Sequence, residues 1–479
     1  MKKVFFILDW DFSYLWSDIA FRLKSDIYAD EEINALVVGK KYFLELSDGT
    51  IKHPFNKIYS LDEFYESHIY SNMTYEGLDE RIRELEEKYG DETLWKFVWG
   101  DRRHIKDGYE NNLVQVAKFF DYFENLYVNE KPDVIVTNAF ASMPHLISYY
   151  VATELGIKVI HGTKMRMALF NYTYWSENYY GSLVPYKPVK PEMFHKAKEL
   201  LSQFRQTQEI SQRDKDVIVQ KESIGKEHLK RFFNYSYHYY VTKKYSGHSK
   251  PNPFKKLFVE EAIPRMKRFY YKKYFKWDNA DLSSKYVYFP LQVQPEATTM
   301  TYAHFYMNQL SSLEALSKSV PMGYKIYVKE HPGMLGKNPY SFYKALRKLP
   351  NVKIIAMNLD SYDVMKKASL IATISGTTGL EATLLKKPVI TMGKVFYNDC
   401  KLVKHIGDTA ITQWPKVIKE YLDDYRCNDN DILDFLALYF SNSTECMIAE
   451  PLETGWDVVM PEKNLESIYL GLSEYLSSN

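Results

Sequence analysis

The chain has 479 residues, 46% of them hydrophobic, which is too many for one ordinary domain and enough for two buried cores. Its 62 basic and 61 acidic residues leave a net charge of +1, which gives no reason to expect nucleic acid as a partner. Cys400, Cys427 and Cys446 are too scattered for a disulfide framework or a Cys-x-x-Cys metal site, so a reducing, cytoplasmic setting is expected.

The first apolar run, residues 3–8, stops at Asp9. It is too short for a signal-peptide core and reads as a buried first strand. No stretch reaches the roughly 18 apolar residues of a membrane span. A helix is expected around 17–24 and short strands at 35–38 and 42–46. Residues 60–128 read as mainly helical, with apolar spacing clearest over 113–123. A buried strand is expected over 132–138, a helix over 144–155 that Gly156 stops, and a strand over 157–161. That strand–helix–strand unit is of Rossmann type. This half, residues 1–190, is expected to supply the acceptor face. Its candidates are Asp9, Asp11, Asp101, Arg102, Arg103, His104, Asn138, His145, His161, Lys164 and Arg166.

Residues 191–283 break the pattern and read as a helical insertion or linker. From 226 to 276 there are 14 Lys or Arg against 3 acids, a net of +11, with Tyr and Phe interleaved. The plain reading is a solvated helical face. The sharper one is a surface for an anionic membrane or glycan, which would place the protein peripherally at the inner face of the cell membrane. The 41 tyrosines of the whole chain suit sugar or protein contact, but an AT-rich coding bias explains them as well.

After Ser284 strand and helix alternate cleanly. Strands are expected at 286–291, 324–328, 352–356, 370–374 and 389–392, with helices at 305–318, 341–347, 361–368 and 379–385. This is a doubly wound parallel sheet over 284–430, followed by C-terminal helices over 431–479. Two such α/β domains facing across a cleft make the GT-B architecture.

Three loops in this second domain carry chemistry. Ile374-Ser375-Gly376-Thr377-Thr378-Gly379-Leu380-Glu381-Ala382 leaves a strand and opens a helix. Free N–H groups there form an anion site, Gly376 keeps the turn tight, and the Ser375, Thr377 and Thr378 hydroxyls can bind a phosphate. Glu381, a turn later, suits two ribose hydroxyls. The plain alternative is an ordinary helix cap. Val328-Lys329-Glu330-His331-Pro332 places Lys329 and His331 where they can neutralise and protonate a leaving phosphate. Gln292, Gln294 and Glu296 follow the first strand. The glutamines suit sugar hydroxyls, and Glu296 suits a nucleophile or base at an anomeric carbon. No Asp-x-Asp sits where this architecture places a metal, and neither a Walker A sequence nor a Gly-x-Ser-x-Gly elbow is present. Leaving-group charge is therefore expected to fall to the helix end, His331 and Lys329, with no metal and no cofactor beyond a nucleotide-sugar substrate.

Together the loops resemble the capsule polysaccharide biosynthesis family that contains the retaining β-Kdo transferases. The counterparts are 292–298, Lys329 to Pro332, 373–382 and 393–397, in the same order over about 110 residues. The resemblance implies a CMP-activated 2-keto sugar acid as donor, a surface glycan or glycolipid as acceptor, and retention of configuration. It implies that His331, Ser375 and Thr377 hold the phosphate, that Glu381 binds ribose, and that Glu296 is the nucleophile or donor-positioning group. Gln294-Pro295-Glu296 stands where the family has paired aspartates, and Asn398-Asp399-Cys400 where it has Trp-Gly. Pseudaminic or legionaminic acid therefore stands beside Kdo. Two other readings stay open: a GT-B enzyme using UDP- or GDP-sugars or transferring glycerophosphate, and a non-catalytic partner in capsule assembly or export.

Overall fold

Strands buried on both faces read as unbroken apolar runs, and such runs organise both sheets. The computed structural model describes residues 3–26, 31–70, 74–90, 93–138, 140–165, 171–208, 226–241 and 252–478. In the first half the strands are β1 Val4–Asp9, β2 Ile33–Val38, β3 Lys57–Ser60, β4 Val134–Thr137, β5 Lys158–Lys164 and β6 Tyr172–Ser176. In the second they are β7 Tyr286–Pro290, β8 Lys325–Lys329, β9 Val352–Ile354, β10 Leu370–Thr373, β11 Val389–Thr391, β12 Val403–His405 and β13 Ser443–Glu445.

The first sheet has the order β13-β6-β5-β4-β1-β2-β3. Its strands β1 to β5 are parallel, while β6 and β13 run antiparallel at one edge. The second sheet, β12-β11-β10-β7-β8-β9, is parallel throughout. Helices cover both, which gives the expected α/β, GT-B arrangement of two Rossmann-like domains.

Two expectations differ: the segment 431–479, expected to be helical, also supplies β13 to the first sheet, and a strand expected at 42–46 is a helix. Residues 42–46 belong to the helix Lys40–Ser47 and not to a strand. Tyr42 and Leu46, one turn apart, are buried, while Leu44 is exposed. That is a helical period, and Gly39 at φ +112 makes the turn into it.

The chain crosses between the two sheets more than once. The helix Pro191–Thr207 buries Ala197, Leu201 and Phe204 in the same core as Tyr286, Ile371 and Leu436. The helix Asp429–Ser441 packs beside it. The chain then returns: β13 joins the first sheet, and the helix Glu462–Ser478 packs on Phe12–Ser25, with Arg22 bridging Glu462 at 2.8 Å and Glu466 at 3.0 Å.

Tyr439 sits at the crossing and is fully buried. Its ring packs on Tyr174 of β6 at 5.0 Å and on Phe396 at 5.6 Å. Its hydroxyl donates to Asp399 Oδ2 at 2.6 Å, lies 3.0 Å from the Phe396 carbonyl, and accepts the Leu183 N–H at 3.3 Å. Tyr439→Phe keeps the ring and strips three polar groups of one partner. It is expected to destabilise the protein by about 1–3 kcal/mol in chemical denaturation; a loss within measurement error would show that water replaces the hydroxyl.

Candidate functional site

In the second sheet the chain runs outward from β7 to β9 on one side and from β10 to β12 on the other. Neighbouring β7 and β10 therefore flank a reversal of strand order, where open α/β sheets bind ligands beyond the strand C-termini. Two of the three predicted loops leave these strands, and the third leaves β8 next door.

The loops after β7 and β10 touch directly. The Ser375 N–H donates to Gln292 Oε1 at 3.2 Å, and the Ser375 hydroxyl donates to the Thr298 carbonyl at 2.6 Å. Gln292 is itself clasped by the Gln309 amide through its backbone N–H and carbonyl, at 2.8 and 3.1 Å. Gln294 donates to the Met307 carbonyl. Ser375 is buried, so its hydroxyl holds the loop together. Gly376 belongs to that close fit, since an added Cβ would lie 2.8 Å from Gln292 Nε2. The helix Thr377–Leu384 starts with Thr377 and Thr378 half-buried. Their amides, in its first turn, have no carbonyl one turn back. Glu296 caps the short helix Ala297–Met300 and is half-buried, with the Thr298 hydroxyl 3.5 Å from its carboxylate.

At the end of β8 the side chains alternate. Lys329 is buried, and its ammonium donates to the Leu359 carbonyl at 2.6 Å and to Ser361 Oγ at 2.7 Å. Burial pulls its pKa down. Lys329 thus braces the neighbouring loop, and half-buried Glu381 lies one turn into the helix after β10. Glu330 lies on the opposite face, buried, and accepts from the Tyr343 hydroxyl, from Asn338 Nδ2 at 2.8 Å and from the His331 N–H at 2.7 Å. Burial pushes its pKa up. Glu330 shapes the His331 turn, and sequence reasoning passed over it. Half-buried His331 accepts the Gly333 N–H on Nδ1 at 3.1 Å, so the neutral ring carries its proton on Nε2.

The chain after β11 closes the site. The Gly393 N–H donates to the Ile374 carbonyl at 2.7 Å, and the Lys394 N–H donates to the Tyr302 carbonyl at 3.0 Å. The Tyr397 hydroxyl donates to the Gly376 carbonyl at 2.5 Å, over Gly379, where any Cβ would lie 2.5 Å from that hydroxyl. The Lys394 ammonium stands 5.9 Å from the Tyr180 ring across the domain boundary. Lys394 and Tyr397 were not named as site residues, although both fall in the 393–397 stretch that carries part of the family resemblance. Thr163, Tyr180 and Gly181 face Tyr302, Ser375, Thr377 and Tyr397 across a cavity of about 20 Å³. That is room for a water and not for a nucleotide.

The first sheet has a reversal of its own, between β1 and β4. Asp9 ends β1, and its Oδ1 lies 2.7 Å from His145 Nε2; His145 Nδ1 lies 2.6 Å from the Ser142 hydroxyl. All three are buried. Burial opposes charge on the imidazole, but the Asp9 carboxylate outweighs it and holds the His145 pKa above its ordinary value. Asp101 accepts the Met143 N–H at 2.9 Å and the Arg103 N–H at 2.8 Å, fixing the start of the helix Met143–Glu154. Trp16 Nε1 donates to Asn138 Oδ1.

The other acceptor-side candidates are placed less favourably. Asp11 is buried and accepts the Leu452 N–H at 2.7 Å. Both His161 nitrogens are engaged, Nε2 by the Asn178 carbonyl at 2.8 Å and Nδ1 by Thr163 at 3.1 Å. Lys164 lies against Met447 at 2.9 Å, Arg102 is exposed, and Arg166 lies outside the described residues.

The two crevices face one another. Thr301, just past the β7 loop, donates its hydroxyl to the carbonyl of Phe140, just past β4, at 3.1 Å. Among the described residues no three His, Cys, Asp or Glu side chains gather as a cation-binding group. Nor, among them, is any helix long and apolar enough to cross a membrane.

Protein FixF of Sinorhizobium fredii (strain NBRC 101917 / NGR234) is 25% identical over 171 residues, 34% of this chain and 40% of that protein. The chain thus spans well under two thirds of that relative's length. Among solved structures, the beta Kdo 2,7 transferase of Thermosulfurimonas dismutans KpsC is 12% identical, covers 76% of this chain and 95% of its own, and has a TM-score of 0.33. The S. aureus MnaA–UDP co-structure is 15% identical, covers 100% and 98%, and has a TM-score of 0.25. The family described as capsule polysaccharide biosynthesis protein matches residues 183–427, just over half of the chain and all three loops of the second crevice. The chain belongs to the capsule polysaccharide biosynthesis protein family.

Proposed function

We propose that this protein is a metal-independent glycosyltransferase that moves a 2-keto sugar acid from a CMP-linked donor onto a surface glycan or glycolipid, with retention of configuration. Making a polysaccharide requires glycosidic bonds, and the fold offers two ligand crevices, one for each partner of such a reaction. The observation that carries the reading is their apposition through Thr301 and Phe140, 3.1 Å apart.

In this reading the donor phosphate lies at the amides of Thr377 and Thr378, with Lys394 and the His331 Nε2–H supplying positive charge and a donor. Ser375 and Gln292 hold that turn in shape, and Glu381 takes the ribose. Glu296 attacks the anomeric carbon as CMP leaves, and the acceptor oxygen then displaces Glu296. The acceptor proton passes to Ser142 and His145, with Asp9 stabilising the imidazolium that forms.

Glu296→Ala and His331→Ala are each expected to lower transfer by about 10²-fold or more while leaving the thermal midpoint close to wild type. Unchanged turnover in either variant removes that residue from the chemistry.

The Asp9 carboxylate holds the His145 pKa up, so the rate should rise with pH as His145 deprotonates. Asp9→Asn withdraws that support and should move this limb of the kcat/KM profile to lower pH, with a reduced plateau. A limb that stays in place means that another group titrates.

CMP is expected to raise the thermal midpoint where UDP and GDP do not, by mass action on the folded state, and transfer should persist in EDTA. A shift with UDP or GDP replaces the donor; activity that returns only with added Mg²⁺ or Mn²⁺ ends the metal-free reading.

A further inference from the structure

The helix Ile263–Tyr274 has two opposed faces. The inner one, with Arg268 and Tyr271, is buried against the second domain. Arg268 Nε donates to the Leu335 carbonyl at 3.3 Å, and the Tyr271 ring meets Tyr343 at 5.5 Å. Gly336, at φ +88, comes so near that an added Cβ would lie 2.2 Å from the Pro264 carbonyl. The helix is therefore clamped, and its outer face has a fixed direction.

That outer face is apolar where a solvated helix should be polar. Val259, Ile263, Met266, Tyr270 and Tyr274 follow one another at spacings of four, three, four and four, one side of a helix. They are 53%, 44%, 72%, 55% and 56% exposed. Exposed Lys255, Lys267 and Lys273 flank the stripe. The helix Lys226–Tyr240 carries a second one: Phe233, Tyr237, Tyr240 and, just beyond it, Val241 are all more than half exposed. The two helices brace each other through Phe232 on Phe254 at 5.6 Å and Lys256 over the Tyr235 ring at 4.2 Å. Neither stripe is spent on that contact.

Charge selects the occupant. Residues 226–276 carry a net of +11 in a chain whose total is +1. A second copy seated face to face would set that charge against itself. A lipid leaflet with acidic headgroups answers both features, because aromatic and aliphatic side chains sink to the headgroup boundary while lysines meet phosphates above them. We propose that this helical pair seats the protein on an anionic lipid bilayer, lying in the interface without crossing it. The inference stands apart from the transfer chemistry and survives a change of donor or acceptor.

The test is co-sedimentation of the full chain with vesicles of phosphatidylcholine alone and of phosphatidylcholine with roughly one third phosphatidylglycerol. Binding to the anionic vesicles only, weakened by salt, is expected. Met266→Ser/Tyr270→Ser/Tyr274→Ser should reduce it about ten-fold or more with an unchanged thermal midpoint, since these side chains face solvent. Transfer to a soluble acceptor should not change in that variant, so failure here is separable from failure of the transferase reading. A wild type that stays in the supernatant, or a triple variant that binds as well as wild type, overturns the proposal. So does lipid-free self-association that the triple variant abolishes, which would make a second copy the occupant.

Discussion

A single buried hydroxyl, that of Tyr439, joins three segments that are remote in sequence. It reaches Asp399 and Phe396 after β11 and holds Leu183 where the chain passes between the sheets. Its ring fills the space between Tyr174 of the first sheet and Phe396 of the second. One residue on, the Tyr397 hydroxyl caps the Gly376 carbonyl. The knot that joins the domains is therefore two side chains away from the turn that presents the helix amides. Shape at the candidate site is inherited from the domain junction, because a close-packed interior transmits displacement instead of absorbing it.

The second sheet was legible because its signals are local. Strands β7 to β11 are short, mostly apolar runs, and the loops after them bring polar residues into view. The loop convergence also follows from sequence, since alternating β and α elements force parallel strands whose C-terminal ends share one edge. Side-chain direction at that edge did not follow. Lys329 and Glu330 are adjacent in sequence and point to opposite faces, and the one read as a cleft cation turned to the Leu359 carbonyl. The parity of a strand end is fixed by which residues the sheet buries, and a charged pair gives no hint of it.

Other features escaped for reasons of distance or polarity. The contact between Asp9 and His145 spans 136 positions and exists only because β1 lies beside β4. Both residues were visible as candidates; their pairing, and the part of Ser142, were not. The short strands β12, Val-Lys-His, and β13, Ser-Thr-Glu, are too polar to read as buried strands. Lys394 falls within the 393–397 stretch without being singled out there, and its place is fixed by its own N–H on the Tyr302 carbonyl.

The return of the chain to the first sheet has a consequence for biosynthesis. Cys446, Ile448, Leu465, Ile468, Leu472 and Tyr475 share a core with Phe6, Trp16 and Val37. A nascent polypeptide on the ribosome has β1 to β6 in hand long before residues 443–478 exist, and those strands wait with an open edge and an uncovered layer. The second domain needs only the helix Asp429–Ser441 to close its core, so it can mature first. The first core is completed only by residues 446–476, the last stretch of it to be made.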